Sequence, residues 1–372
     1  MAARTEAPFR ADHVGSLLRP RTLLDARKAY VAGRLDSDGL RAAEDEAIRH
    51  VVRVQEEIGL PAATDGEFRR TSWHMDFIYQ LRGVERTDKQ IRVPMRSAAG
   101  ESAFTSAGLA ARAPVRLEHT IFGDDFSFVS DAARSAVPKL TVPSPSMVHY
   151  RGGTAAIDRD VYPDVEQFWA DLAGAYAAEV RALGELGCTY LQFDDTSLAY
   201  LNDPAQRAEL AAQGRDAEHQ HERYIRQINA ALAGRPDSLT VTTHMCRGNF
   251  RSSWVAEGGY DFVAEALFGG LEVDGFFLEY DDARSGGFEP LRFVPPGKRV
   301  VLGLVTTKRP QLESKDDLKR RIDEASRFVP LEQLALSGQC GFSSTVEGNS
   351  LTRDEQIAKL ALIVETAEEV WG

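Results

Sequence analysis

The chain has 372 residues, 43% hydrophobic and 27% charged, the balance of a soluble globular protein long enough to bury a sizeable core. Its formal charge of −12 counts against nonspecific nucleic-acid binding, which needs clustered Lys and Arg to displace phosphate counterions. Three scattered cysteines make no disulfide framework, the N-terminus has no signal-peptide core, and no run nears the roughly 20 apolar residues of a membrane helix, so a cytoplasmic protein is expected.

In chain order, short β-like runs alternate with helical patterns. ADHVGSL (11–17) precedes two helical stretches, the second near 37–59 with Ile48, Val51, Val52 and Ile58 at helical spacing. Then come LPAATDGE (60–67), KLTVPSPS (139–146), CTYLQFDD (188–195), SLTVTTHMC (238–246), DGFFLEYD (274–281), KRVVLGLVT (298–306) and GQCGFSS (338–344). Helical patterns at 165–186, 205–233, 252–267, 313–328 and 352–371 separate most of them, and the last opens on the capping box Thr352-x-x-Glu355.

Eight β-runs alternating with helices predict an α/β fold, a (β/α)8 TIM barrel forming a single catalytic domain over 1–372. Residues 73–137 lack a helical period, contain the hairpin-like VRLEHTIF (115–122), and read as an insertion between strands 2 and 3. An open doubly wound sheet competes less well, because no Gly-rich phosphate loop follows the first run.

In such a barrel the chemistry gathers at the C-terminal ends of the strands. There the sequence sets His13 and Ser16, Asp65 and Glu67, Asp194 and Asp195, His244 and Cys246, Glu279, Lys308 and Cys340. His-x-Cys on a strand puts both side chains on one face, and N and S donors suit Zn²⁺. Cys340 and Glu279 stand at matching strand ends and complete a candidate set of four ligands. Each residue alone has a plainer reading. Free cysteine is commonly a small buried hydrophobe, and Cys188, ahead of its strand at the opposite end, is read that way. Glu67 could pair with Arg69 or Arg70. Asp194 and Asp195 face opposite ways, so one points inward and the other suits a helix N-cap. His13 and Arg19 could be structural, or Arg19 could meet an anionic substrate group. Lys308 carries the same ambiguity.

HMC (244–246), LEYDDARSG (278–286) and QCG (339–341) resemble the zinc-binding pattern of cobalamin-independent methionine synthase. More closely, the chain resembles short stand-alone members of that superfamily related to its C-terminal catalytic barrel, which include the epoxyalkane:coenzyme M transferases. The resemblance runs from HVGSLLRP to the closing VWG. It implies that His244, Cys246, Glu279 and Cys340 bind zinc. It also implies that Ser16 (in VGS), Glu67 (in DGE) and Asp194 (in QFDD) contact an amino-acid substrate, and it aligns Lys308 with the proton donor. Full-length synthases have an additional N-terminal barrel that helps bind polyglutamated folate; this sequence carries none, which counts against folate as the donor.

The chemistry so implied is thiol alkylation. A thiol on Zn²⁺ loses its proton below its free pKa of about 8.5. Two cysteinates, a carboxylate and a neutral imidazole leave the site negative after the metal's charge is counted, so the bound sulfur stays nucleophilic. The acceptor would be homocysteine or another small thiol, its amine held by Glu67 and Asp194 and an acidic group by Arg19. The alkyl donor would be a methyl donor, or an epoxide opened by a thiol such as coenzyme M, with Lys308 protonating the leaving group. The rivals are a metal-free barrel related to uroporphyrinogen decarboxylase and a non-catalytic zinc-binding partner. The sequence leaves the oligomeric state open.

Overall fold

The computed structural model describes residues 6–97, 100–150 and 152–372. Its strands are β1 (Ala62–Ala63), β2 (Arg82–Ser97), β3 (Gly100–Arg116), β4 (Val137–Pro138), β5 (Leu140–Pro143), β6 (Tyr190–Asp195), β7 (Thr240–Met245), β8 (Gly275–Glu279), β9 (Arg299–Val305) and β10 (Leu334–Gly338). Strands β5 to β10 form one parallel sheet in chain order. The β1–β4 pair is also parallel, and only Lys139 separates β4 from β5. Ala11 bridges Leu336 of β10, and Leu17 N donates to Gly66 O at 3.0 Å. Residues 11–17 thereby join the last strand to the segment after β1 and close a (β/α)8 barrel.

Side-chain alternation gives each strand two buried faces, as a helix-wrapped parallel sheet requires. Phe276, Leu278, Val300 and Leu302 belong to the large apolar core, whereas Phe277 and Val301 form a separate cluster with Val14 and Ala335. Beside this second cluster lies a fully buried ion pair, Lys139 to Asp12 at 3.1 Å, with Lys139 Nζ 4.1 Å from the Phe277 ring centre. Tyr190 donates to the same Asp12 carboxylate at 2.6 Å. A charge taken out of water needs such partners.

Helix Ser37–Ile58 matches the periodic stretch read from sequence; the Asp36 side chain caps it, and Gly59, at φ 91°, ends it. Helix Arg353–Trp371 opens on the predicted capping box. Other expectations need correction. The eighth strand ends at Gly338, so the run 338–344 is the loop beyond it. The stretch 205–233 is two helices, Pro204–Ala212 and Gln220–Ala231, parted near Gly214, whose φ of 73° no helix interior accepts. The pattern 252–267 becomes a helix only at Ala264–Gly270, after turns that include Ser252 at φ 64°. The inserted hairpin pairs β2 with β3, so VRLEHTIF supplies only the end of a strand before helix Gly123–Ala132. Among the described residues no helix is long and apolar enough to cross a membrane.

Candidate metal centre and its cavity

Four ligand atoms of His244, Cys246, Glu279 and Cys340 lie within 4.8 Å of one another, and all four residues are buried. His244 and Cys246 flank Met245, the last residue of β7; Glu279 ends β8; Cys340 stands two residues beyond β10. The two sulfurs are 3.5 Å apart. Hydrogen bonding from Cys246 draws the Cys340 thiol well below its ordinary range, and the Cys246 thiol is pushed well above.

Neither ring nitrogen of His244 has a hydrogen-bond partner among the described residues. An orphaned buried imidazole beside two thiols and a carboxylate is the donor set of tetrahedral zinc, so the residues fit that ion.

The carboxylate of Glu279 is held from several sides. Arg247 N donates to Oε1 at 2.8 Å, Gln339 Nε2 donates to Oε2 at 3.3 Å, and Lys308 Nζ lies 4.0 Å from Oε2. Gln339 in turn accepts from Thr307 N at 3.1 Å and Thr307 Oγ1 at 2.9 Å, tying the loop after β9 to Glu279 on β8. Burial raises the Glu279 pKa. Arg247 and Gln339 went unnoticed in the sequence; their signal was adjacency to Cys246 and Cys340.

A cavity of about 60 Å³ opens onto the cluster, lined on one side by Ser16, Glu67, Asp194, His244, Cys246 and Cys340. At roughly 10–15 Å³ per water it holds several waters or a short side chain. The opposite wall is apolar: Val93 and Met95 of β2, Phe104 of β3, and Phe250. Strands β2 and β3 reach over the barrel mouth through an antiparallel bridge between Arg96 and Trp254 and a ring contact of 5.1 Å between Phe104 and Phe250. Trp73 and His74 also line the space, their rings 4.4 Å apart, and neither carried a sequence signal.

Glu67 sits at φ 61°, directly after Gly66 at φ 66°. Its N–H is held by Asp65 Oδ1 at 2.8 Å, which fixes an uncommon turn for a non-glycine residue. Its Oε1 accepts from Thr141 Oγ1 at 3.0 Å and faces Arg70 at 3.5 Å, while Oε2 is buried without a hydrogen-bond partner among the described residues. Burial outweighs Arg70 and pushes the Glu67 carboxyl up to about 7. Burial likewise raises Asp194 to about 6, with Gln192 donating to its Oδ1 at 2.7 Å. Asp195 faces the other way, and its carboxylate accepts Leu198 N at 2.7 Å at the start of the short helix Ser197–Tyr200.

Two further residues proposed to bind substrate lie elsewhere. The His13 side chain is outside the cavity lining, with Nε2 3.3 Å from Ala62 O, because Val14 and Ser16 occupy the inward positions of its segment. Burial, then Lys139, pulls its pKa down to about 4. Arg19 spends its guanidinium on the protein: Nη2 donates to Glu67 O at 2.6 Å and Arg70 O at 2.7 Å, and Nη1 to Ser343 Oγ at 2.8 Å. It ties the Glu67 turn to the loop after Cys340. Lys308 is also outside the cavity lining, and its Nζ has no hydrogen-bond partner among the described residues. Cys188 is buried core; its thiol donates to Tyr190 O at 3.5 Å and is pushed up to about 12 by burial.

The family model "Cobalamin-independent synthase, Catalytic domain" matches residues 10–369. The uncharacterized protein YxjH of Bacillus subtilis is 46% identical over 98% of this chain and 96% of its own length. A methionine synthase of Pyrococcus abyssi is 24% identical over 88% of this chain and 84% of its own. A solved structure from Listeria monocytogenes, provisionally named a vitamin-B12 independent methionine synthase, superposes with TM-score 0.79 at 37% identity, covering 99% of this chain and 100% of that one. The chain belongs to the cobalamin-independent methionine synthase family, as a version of its catalytic domain.

Proposed function

We propose that the chain is a zinc-dependent thiol alkyltransferase that transfers an alkyl group, in the first instance methyl, to a small amino-acid thiol such as homocysteine. The observation that carries this reading is one cavity lined both by His244, Cys246 and Cys340 of the four-residue cluster and by two buried carboxylates, Glu67 and Asp194. Held by His244, Cys246, Glu279 and Cys340, zinc would keep a substrate thiol ionised and nucleophilic near neutral pH.

The remaining work falls to the chain itself. Glu67 and Asp194 hold the substrate ammonium, and Ser16 offers a hydroxyl beside them. Val93, Met95 and Phe104 keep water from the sulfur. The sulfur lone pair forms the new S–C bond as the bond to the leaving group breaks, and the departing group keeps that electron pair and takes a proton. Lys308, whose Nζ lies 4.0 Å from Glu279 Oε2, is assigned as the source of that proton. An epoxide opened by the same sulfur is the alternative electrophile, favoured by the apolar roof.

The test is turnover by the zinc-loaded protein on homocysteine with a panel of methyl donors and epoxides, followed by mass spectrometry of the thiol. An S-alkylated product formed by the wild type and absent with Cys340→Ala supports the reading. Full zinc occupancy with no turnover on any thiol would make the chain a zinc-binding partner instead.

A further inference from the structure

Arg247 follows Cys246 directly in the chain and is fully buried. Its contacts run two ways. Towards the cluster, its N–H holds Glu279 Oε1, and its Nη1 donates to Glu279 O at 2.8 Å and Ser285 Oγ at 3.1 Å. Its guanidinium carbon stands 4.4 Å from the ring centre of Tyr260, whose hydroxyl accepts from Glu279 N at 2.8 Å. Away from the cluster, Nη2 donates to Gly258 O at 2.7 Å, and the Arg247 carbonyl accepts from Val255 N at 2.9 Å and Ala256 N at 3.1 Å.

Residues 253–258 carry this link to the cavity ceiling. Val255 lines the reaction cavity. Trp254 exchanges both backbone hydrogen bonds with Arg96 of β2, at 2.7 and 2.8 Å, and Arg96 is next to Met95 of the apolar wall. The Trp254 ring centre lies 4.1 Å from the guanidinium carbon of Arg284, whose carbonyl accepts from Gly258 N at 2.9 Å. Arg284 belongs to LEYDDARSG, the run that also contains Glu279. Between Cys246 and Trp254 stand Arg251 at φ 48° and Ser252 at φ 64°, two successive non-glycine residues in the left-handed region. Such conformations persist only where their surroundings hold them, and they gather at clamps and switches. A buried arginine ordinarily just stitches loops together. This one joins the carboxylate of Glu279 to the segment on which the ribbon rests.

We propose that Arg247 is a positioning residue that clasps the β2–β3 ribbon over the barrel mouth according to the state of the metal cluster. With Cys246 and Glu279 drawn onto zinc, the Arg247 backbone is fixed between them, residues 253–258 are held, and Trp254 keeps the ribbon seated. With the cluster empty these contacts open more often and the ribbon lifts. A bound ligand stabilises the elements it ties, and segments with few buried anchors open first. The inference rests on the zinc-binding part of the reading above.

The test is hydrogen–deuterium exchange read by mass spectrometry on the full chain, zinc-loaded and zinc-stripped. Residues 88–97 of the ribbon are compared with helix Lys315–Ala325, which packs on β9 and helix Arg353–Trp371. In the wild type, zinc is expected to slow exchange in the ribbon at least about fivefold, with a smaller change in the helix. Arg247→Met and Trp254→Ala should lose most of that difference while keeping zinc, and Arg247→Lys should regain part of it. Trp254 is outside the cluster, so Trp254→Ala and Arg247→Lys decide the matter if Arg247→Met fails to fold or to hold zinc. A wild-type ribbon indifferent to bound zinc, or an undiminished response in either Arg247→Met or Trp254→Ala, overturns the proposal and leaves the transfer reading standing. A wild type that takes up no zinc sinks both.

Discussion

The sulfurs of Cys246 and Cys340 stand 3.5 Å apart although their residues are 94 positions apart in the chain. The barrel brings them together from the ends of β7 and β10, with the imidazole of His244 and the carboxylate of Glu279 beside them. Cys188, equally buried, stands apart from this cluster. Elemental analysis of the three single alanine variants is therefore expected to separate them. Cys246→Ala and Cys340→Ala lose zinc or bind it more than about tenfold more weakly, and Cys188→Ala keeps the wild-type content. Three equal zinc contents would return the cysteines to the role of packing residues.

Glu67 gives a pH dependence with a definite sign. Its carboxyl titrates near 7, raised by burial from an ordinary 4.5, and an ammonium ligand needs it ionised. Affinity for homocysteine should rise as pH climbs through about 7 and flatten in Glu67→Gln. Stability runs the opposite way. The native state holds this proton more tightly than the unfolded chain, so the contribution is complete below 4.5 and lost as pH rises through about 7. Melting curves should show Glu67→Gln gaining on the wild type between pH 5 and pH 8; a constant difference would place the carboxyl outside its assigned environment.

Gly341 lets the Cys340 loop touch Ser16. A Cβ added there would lie 1.9 Å from Ser16 Oγ. Gly341→Ala is expected to cost about 1–3 kcal/mol in denaturant unfolding and to weaken zinc binding, because the loop must shift. Ser16→Ala in the same chain removes the clashing oxygen and should restore part of both losses.

Arg19 distinguishes a structural arginine from an anion receptor. Arg19→Met strands the carbonyls of Glu67 and Arg70, so a loss of about 3 kcal/mol or more is expected in unfolding experiments. A stable Arg19→Met protein with a raised KM for the thiol would instead make the guanidinium a substrate contact.

Lys308 separates an acid from an electrostatic support. If it protonates the leaving group, Lys308→Met should lower kcat about 100-fold while zinc content stays at the wild-type level. Loss of zinc together with activity would show that its charge serves chiefly to hold Glu279, 4.0 Å away.

The barrel and the clustering of His244, Cys246, Glu279 and Cys340 were legible because they depend on local pattern and on rare residue types at strand ends. His244-x-Cys246 needed only the two-residue period of β7. The eighth strand was misplaced because Leu334–Gly338 has no polar alternation, being buried on both faces, while Phe342 in the following loop mimicked a strand residue. Strands β2 and β3 escaped for the opposite reason. Half of β2 is exposed, and its register shifts between Thr87 and Gln90, so no alternation survives in the sequence. For Arg19 and His13 the sequence left a structural and a substrate-facing reading open, because side chains at the correct end of a strand can still point into the protein around it; in the structure both bond to backbone carbonyls.

The ribbon formed by β2 and β3 has a further consequence. Everything below it, from the sulfurs to Glu67, is carried by barrel elements, whereas Val93, Met95 and Phe104 hang from a hairpin bathed in solvent on its other side. On the alkyl-transfer reading, reactivity and admission are thus housed in separate parts of the chain. Replacing an aliphatic side chain of this ceiling resizes the doorway and leaves the reactive floor untouched, so one chemistry can be offered to a different guest.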